Sequence, residues 1–223
     1  MTVIKICGVT TVEDALAAAR AGADMIGLNF YEPSPRAVSR EQARRITQAL
    51  RNAARLPYPL LVGLFVNAAT GAIQSIVDEL RLDLAQLSGD ESPEDVAALG
   101  GRGLKSIRPQ SPEEAVQLAS RFGACGPPWT WAPELIVDAY QARLYGGTGR
   151  QAHPEIARAA RALAPRLMLA GGLTPENVAA AVRAIRPWGV DVASGVEGAV
   201  QGRKDAGRMR AFVDAVRGID AVV

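Results

Sequence analysis

Eight short apolar segments, each followed by a helical segment, constrain the fold of this chain more than any other feature. They lie at residues 3–7, 23–30, 59–66, 82–87, 104–108, 135–138, 167–170 and 190–193. Apolar runs without polar alternation are typical of parallel strands that are covered on both faces. Several of the following helices open on a hydroxyl cap with a proline in the first turn, as at Ser92-Pro93 and Ser111-Pro112.

The number and order of these units predict the architecture. Eight strand–helix units without a break favour a (β/α)8 barrel, the TIM barrel, as a single domain over residues 1–223. This length lies within the range of such barrels. The alternative is an open doubly wound sheet, which usually carries a glycine fingerprint after its first strand. The segment Gly8-Val9-Thr10 does not match that fingerprint.

Composition narrows the class of partner. The formal net charge is +2 and the arginines are spread along the helices, so we expect no nucleic-acid partner. No apolar run approaches the roughly 18 residues of a membrane span, and the residues after Met1 predict a strand rather than a signal peptide. One histidine and two cysteines nearly exclude a Cys/His metal site. The sequence therefore predicts a cytoplasmic protein without a metal or a membrane partner.

Two ionisable side chains end strands of the predicted barrel. Cys7 ends the first segment and Asp138 the sixth, and strand ends surround the active site of such barrels. An acid and a base across that mouth could transfer protons in both directions. The alternatives are a buried, inert thiol and a carboxylate that fixes a loop. Lys5 lies on the same strand face as Cys7, where it would need a partner and could favour a thiolate.

Glycine-rich turns follow the last three predicted strands. Loops after strands seven and eight of such barrels commonly bind phosphate through backbone N–H groups. Tight turns also select glycine without any ligand. The candidate phosphate-binding residues are Gly147, Gly171, Gly172, Ser194 and Gly195.

Three further polar side chains lie near the predicted mouth. Arg36 belongs to a proline-rich loop after the second strand, where its guanidinium could hold a carboxylate in a fork. Gln86 and Asp191 interrupt apolar strands. Each would either contact a substrate or satisfy a hydrogen-bond network inside the barrel.

Seven segments of the chain resemble those of phosphoribosylanthranilate isomerases. They are Lys-Ile-Cys-Gly at 5–8, Asn-Phe-Tyr-Glu-Pro-Ser-Pro-Arg at 29–36, Val-Gly-Leu-Phe-Val-Asn at 62–67, Gln-Leu-Ser-Gly-Asp-Glu-Ser at 86–92, Tyr-Gly-Gly-Thr-Gly at 145–149, Ala-Gly-Gly-Leu-Thr-Pro-Glu-Asn-Val at 170–178 and Asp-Val-Ala-Ser-Gly-Val-Glu at 191–197. The resemblance covers nearly the whole chain in order. The leading Lys-Ile-Cys-Gly distinguishes it from other phosphate-binding barrels.

This resemblance implies a specific reaction. It is the cofactor-free Amadori rearrangement of N-(5′-phosphoribosyl)anthranilate to 1-(o-carboxyphenylamino)-1-deoxyribulose 5-phosphate in tryptophan biosynthesis. It implies that Asp138 is the general acid, that Cys7 is the general base and that Arg36 holds the anthranilate carboxylate. Gly172, Ser194 and Gly195 match the phosphate loops. Lys5, Gln86 and Asp191 complete the expected substrate-binding set, and the protein would be a monomer or a homodimer.

The chain departs from the family pattern at three places, one of which is the connection at residues 123–133, longer and richer in tryptophan and proline than expected for the family. Ser88 stands where the family usually has histidine, and Gln151-Ala152-His153-Pro154 replaces the usual Phe-Asp-Trp segment. Two other functions therefore stay open at this point. One is another phosphosugar isomerase or epimerase, and the other is a barrel that binds a phosphorylated metabolite without turnover.

Overall fold

The chain folds into a closed barrel of eight parallel strands in sequential order, which confirms the predicted (β/α)8 architecture. A computed structural model describes residues 1–53, 58–138 and 154–221. The strands are β1 Val3–Ile6, β2 Met25–Asn29, β3 Leu60–Phe65, β4 Leu84–Leu87, β5 Gly103–Ile107, β6 Leu135–Asp138, β7 Leu167–Ala170 and β8 Gly189–Val192. The helices are α1 Val12–Ala21, α2 Arg40–Asn52, α3 Thr70–Leu80, α4 Pro93–Ala97, α5 Pro112–Phe122, α6 Pro154–Arg161, α7 Val178–Ile185 and α8 Ala206–Asp220, with short 3-10 helices at Gly123–Cys125 and Ser194–Val196.

Most helices begin where the capping residues predict. Ser111 accepts a hydrogen bond from the Glu114 backbone N–H at 3.1 Å, and Ser92 closes a reciprocal capping box with Asp95. Thr174-Pro175 has the same hydroxyl-and-proline pattern, but α7 begins only at Val178. There the Asn177 side chain accepts the Thr174 N–H at 2.8 Å, so residues 174–177 form a turn before the helix.

The strands bury both faces in two separate apolar layers. Residues such as Ile4, Ile6 and Ile26 pack outward against the helices. The inner layer fills the lower half of the barrel with Met25, Val62, Leu84, Leu104, Ile136 and Met168. Trp129 and Trp188 pack against this inner layer. Two apolar layers explain why the strand sequences lack polar alternation.

Polar side chains replace apolar ones in the upper half of the barrel. Lys5, Gln86, Ser106 and Asp191 are all buried there. Lys5 on β1 and Asp191 on β8 are register partners across the seam that closes the barrel. This charged upper half lies beneath the carboxyl ends of the strands, where barrel active sites form.

Among the helices that the structure describes, none is long and apolar enough to cross a membrane.

Candidate active site

One cavity of about 570 Å³ opens at the carboxyl ends of the strands. It brings together most of the residues that the sequence predicted for a site. They are Cys7, Arg36, Gln86, Asp138, Gly171, Gly172, Asp191 and Ser194. The predicted Gly147 lies in the segment 139–153, outside the described residues.

Two predicted residues of the described chain, Lys5 and Gly195, do not line this cavity. The side chain of Lys5 is fully buried below it, so the lysine contacts protein groups instead of the cavity. At Gly195 a side chain would overlap the carbonyl of Leu173, which makes close packing of the two loops the local reason for glycine.

The thiol of Cys7 lies beside a buried ion pair. Cys7 follows β1 directly, and its backbone N–H donates to the Val192 carbonyl at 2.8 Å. The ammonium group of Lys5 donates to both carboxylate oxygens of Asp191, at 3.0 and 3.1 Å. Burial alone would lower the pKa of Lys5, but Asp191 and the Cys7 thiol together raise it above its ordinary value. Lys5 is therefore held as a cation directly behind the thiol.

Arg36 reaches the cavity with one edge of its guanidinium already paired. Its Nε and Nη2 donate to the two carboxylate oxygens of Glu197 at 2.6 and 2.9 Å. Lys204 donates to the same carboxylate at 3.3 Å and to the Ala193 carbonyl at 2.9 Å. Nη1 of Arg36 is on the edge away from Glu197, so the fork can still offer donors to a ligand carboxylate.

The pKa values of Glu197 and Lys204 are both shifted, and the Glu197 carboxylate is shared between two cations. Burial alone would raise the pKa of Glu197, but hydrogen bonds and charges from Arg36 and Lys204 lower it. Burial lowers the pKa of Lys204, Glu197 offsets only part of that effect, and the positive charge of Arg36 lowers this pKa further. The network keeps Glu197 ionised and the Arg36 guanidinium fixed.

Asp138 lies at the end of β6, three strands away from β1 around the barrel. Arg108, from the end of β5, places its Nε 3.6 Å from Oδ2 of Asp138. Both side chains are partly exposed to the cavity. The structure thus places a carboxyl group and a thiol on the same cavity, from strands that are not neighbours.

The side chain of Gln86, in the upper half of the barrel, has one oxygen atom without a hydrogen-bond partner. Its Nε2 donates to Oγ of Ser88 at 3.1 Å, so the serine that replaces the usual histidine orients the amide. Among the described residues, Oε1 of Gln86 is the buried side-chain nitrogen or oxygen atom without a hydrogen-bond partner. Buried acceptors are rarely left unpaired, and this one suits a donor on a ligand.

The turn after β7 needs glycine for its backbone conformation. Gly171 and Gly172 adopt φ angles of +94° and +61°, which other residues reach only with strain. They line the same cavity as Ser194, at which a 3-10 helix begins. Backbone N–H groups at such turns attract anions. In the part of the chain that the structure describes, no group of three or more His, Cys, Asp or Glu side chains could hold a metal ion.

Sequence reasoning missed Glu197, Lys204 and Arg108. Glu197 and Lys204 lie on an irregular loop, and Glu197 is 161 residues from Arg36 in the chain. Arg108 ends a predicted strand, so its position on the mouth could have been found by the argument that selected Cys7 and Asp138.

Fold and site together define a (β/α)8-barrel enzyme whose mouth combines an acid, a thiol and arginine. A family model described as "N-(5'phosphoribosyl)anthranilate (PRA) isomerase" matches residues 4–215. The chain belongs to this family.

Individual relatives match along nearly their whole length. The N-(5′-phosphoribosyl)anthranilate isomerase of Nitrosococcus oceani is 44% identical over 221 residues, covering 99% of this chain and 98% of its own. The enzyme of the same name from Pseudomonas aeruginosa strain UCBPP-PA14 is 47% identical over 215 residues, covering 96% and 94%. A crystal structure of phosphoribosyl anthranilate isomerase in complex with reduced 1-(o-carboxyphenylamino)-1-deoxyribulose 5-phosphate superimposes with a TM-score of 0.80. The two sequences are 31% identical, and the match covers 98% of this chain and 100% of the chain in the crystal structure.

Proposed function

We propose that this protein isomerises N-(5′-phosphoribosyl)anthranilate to 1-(o-carboxyphenylamino)-1-deoxyribulose 5-phosphate in tryptophan biosynthesis. The observation that carries the proposal is one cavity lined by Cys7, Asp138, Arg36 and the Gly171-Gly172 turn. A substrate with a carboxylate at one end and a phosphate at the other needs cationic or N–H donors at two separated places. It also needs an acid and a base between them.

The two anionic ends of the substrate fit two different parts of the mouth. Arg36 would hold the anthranilate carboxylate through the guanidinium edge that Glu197 leaves available. The phosphate would accept N–H donors from Gly171, Gly172, Ser194 and Gly195, together with Gly147. Gln86 would accept a hydrogen bond from a substrate hydroxyl or amine, because its Oε1 has no protein partner. Asp191 would support the same region from the cavity floor.

Asp138 would act first, as the general acid. It would protonate the ribose ring oxygen, so that the ring C–O bond breaks and the anilinic nitrogen lone pair forms an iminium. The nearby Arg108 would stabilise the carboxylate left after the proton has moved.

Cys7 would complete the reaction as a general base. Its thiolate would remove the C2′ proton from the iminium, giving an enolamine that tautomerises to the ketone product. The Lys5 ammonium group lies directly behind the thiol and interacts electrostatically with it. Lys5 thus supports Cys7 and does not contact the substrate, in keeping with its complete burial.

The test is the loss of substrate fluorescence when phosphoribosylanthranilate is added. We expect turnover by the wild type and a loss of about 100-fold or more in kcat for Cys7→Ala and for Asp138→Ala. An epimerase would leave the fluorescence unchanged, and a binding barrel without turnover would not rescue a tryptophan auxotroph that lacks this step. Full activity in either variant would contradict the assigned roles.

Cys125→Ala is the matched control for the thiol. Cys125 lies in the 3-10 helix Gly123–Cys125, away from the cavity, so its removal should change kcat less than twofold. We further propose that the chain works as one barrel domain in the cytoplasm, as a monomer or homodimer, without a nucleic-acid partner.

A further inference from the structure

Gly27 of β2 faces the Cys7 thiol and the Lys5 ammonium at the same time. A Cβ atom at Gly27 would lie 2.7 Å from Sγ of Cys7, 3.1 Å from Cα of Cys7 and 3.2 Å from Nζ of Lys5. Ordinary contacts between such heavy atoms fall at about 3.5–4.0 Å. The φ angle of Gly27 is not in the left-handed region, so the strand conformation does not require glycine. What requires it is the space that the thiol and the ammonium group occupy.

The backbone of Gly27 also binds the residues that follow Cys7. Its carbonyl accepts the N–H groups of Gly8 at 2.9 Å and of Val9 at 3.1 Å. These two bonds turn the chain immediately after Cys7, where β1 has ended. Gly27 therefore fixes both the direction of the chain that carries the thiol and the space into which the thiol points.

We propose that Gly27 is a positioning residue for the Cys7 base, because its missing side chain lets the thiol lie against the Lys5 ammonium group. This inference rests on the proposed function, in which Cys7 removes the C2′ proton. A methyl group at position 27 would drive the thiol sideways, away from both the lysine and the reacting carbon. Misplacement of a reacting group by about 1 Å can cost about 100-fold in rate.

The first test compares Gly27→Ala with a glycine that is equally crowded elsewhere. At Gly63, in the neighbouring strand β3, a Cβ atom would lie 2.8 Å from Cε2 of Phe65 and 2.9 Å from Cδ1 of Leu82. Gly63→Ala thus introduces a similar clash among apolar side chains only. We expect kcat to fall about 10- to 100-fold in Gly27→Ala with KM changed less than threefold. Gly63→Ala should keep kcat within about threefold.

Alkylation provides a readout that does not depend on turnover. The rate of Cys7 modification by iodoacetamide, followed by peptide-resolved mass spectrometry, should fall about tenfold in Gly27→Ala and stay unchanged in Gly63→Ala. Equal rates in wild type and Gly27→Ala would overturn the proposal. If the wild type failed to isomerise the substrate, the proposed function would fail, whereas the alkylation rates would still decide the role of Gly27.

A stability cycle keeps the inference testable if Gly27→Ala folds poorly. In a Cys7→Ala background the sulfur atom is absent, so the shortest contact at position 27, the one of 2.7 Å, is removed. Gly27→Ala should then lower the urea midpoint by less than half as much as it does in the wild type. An equal loss in both backgrounds would show that the space beside Gly27 does not serve the thiol, and the proposal would be abandoned.

Discussion

Replacing Lys5 with methionine removes one partner of an ion pair that lies inside the barrel. Lys5 is 0% exposed and Asp191 is 8% exposed, with two hydrogen bonds between them at 3.0 and 3.1 Å. The variant leaves the Asp191 carboxylate buried without its cation. Such uncompensated buried charges cost about 3–5 kcal/mol. Asp191→Asn should cost a similar amount, because it leaves the lysine buried without its carboxylate.

The double variant should not cost the sum of the two single changes. Once either charge has been removed, removing the other also removes the buried charge that caused the loss. We therefore expect Lys5→Met/Asp191→Asn to be at least as stable as either single variant, which gives a coupling energy of about 3 kcal/mol or more. Because domains of this kind are stable by about 5–15 kcal/mol, each single variant should still fold.

Urea denaturation followed by circular dichroism measures these values. A loss of about 4 kcal/mol corresponds to a fall of roughly 1–2 M in the urea midpoint. The matched control is Arg102→Met, which removes a 2.7 Å ion pair whose side chains are 33% and 64% exposed. Such exposed pairs contribute at most about 1 kcal/mol. Additive losses within about 0.5 kcal/mol for Lys5 and Asp191 would refute the reasoning.

The pH dependence of the pair has a definite sign. The folded pKa of Lys5 is raised above its ordinary value of 10.5. The contribution of Lys5 is therefore complete below that pH and is lost only as the pH rises through the folded value. The difference between wild type and Lys5→Met should consequently stay constant between about pH 7 and 9. A difference that vanishes within this window would contradict the assignment of a charged Lys5.

Three further predictions concern the rim of the cavity. Arg36→Lys should raise KM about tenfold or more and change kcat less, because an ammonium group cannot bind Glu197 and a substrate carboxylate in the same planar fork; steady-state fluorescence kinetics measures both constants. Glu197→Gln should be less stable than the wild type above about pH 4.5, the ordinary pKa of a glutamate. Because the pKa of Glu197 is lowered in the folded protein, the difference should shrink as the pH falls through this lowered pKa. Urea midpoints between pH 3 and 7 test this, and a constant difference would contradict it. Gly172→Ala should lower the free energy of unfolding by about 1 kcal/mol, because alanine reaches the φ angle of +61° only with strain. It should also weaken competitive inhibition by inorganic phosphate, and an unchanged inhibition constant would show that Gly172 does not bind phosphate.

The barrel itself could be predicted from local signals. Apolar runs, hydroxyl caps and first-turn prolines are properties of neighbouring residues, so all eight strands were located to within a few residues. The first and last residues of the strands were predicted less accurately. The fourth predicted strand includes Leu82 and Asp83, yet β4 begins only at Leu84, where pairing with Val62 of β3 begins. Pairing is set by the neighbouring strand, which the local sequence does not reveal.

The contacts inside the site depend on closure of the barrel. Lys5 was expected to need a partner, but the sequence could not choose one, since Asp191 lies 186 residues away and meets it only across the β1–β8 seam. Glu197 ends one of the segments that resemble the family, but the sequence did not indicate that it pairs with Arg36 and Lys204. Gly27 gave no signal, because a glycine within an apolar strand looks the same whether it makes room for a thiol or for a methyl group.

The charges around Cys7 show why the net charge of the chain was a poor guide to this site. Lys5 pairs with Asp191, and Arg36 and Lys204 share the carboxylate of Glu197. Together the two sets of ion pairs carry three formal positive charges and two negative ones. Both lysines interact electrostatically with Cys7. An excess of positive charge around the mouth attracts an anionic substrate or product. The same arrangement can therefore support both the base and the binding of an anion, provided that neither carboxylate is lost.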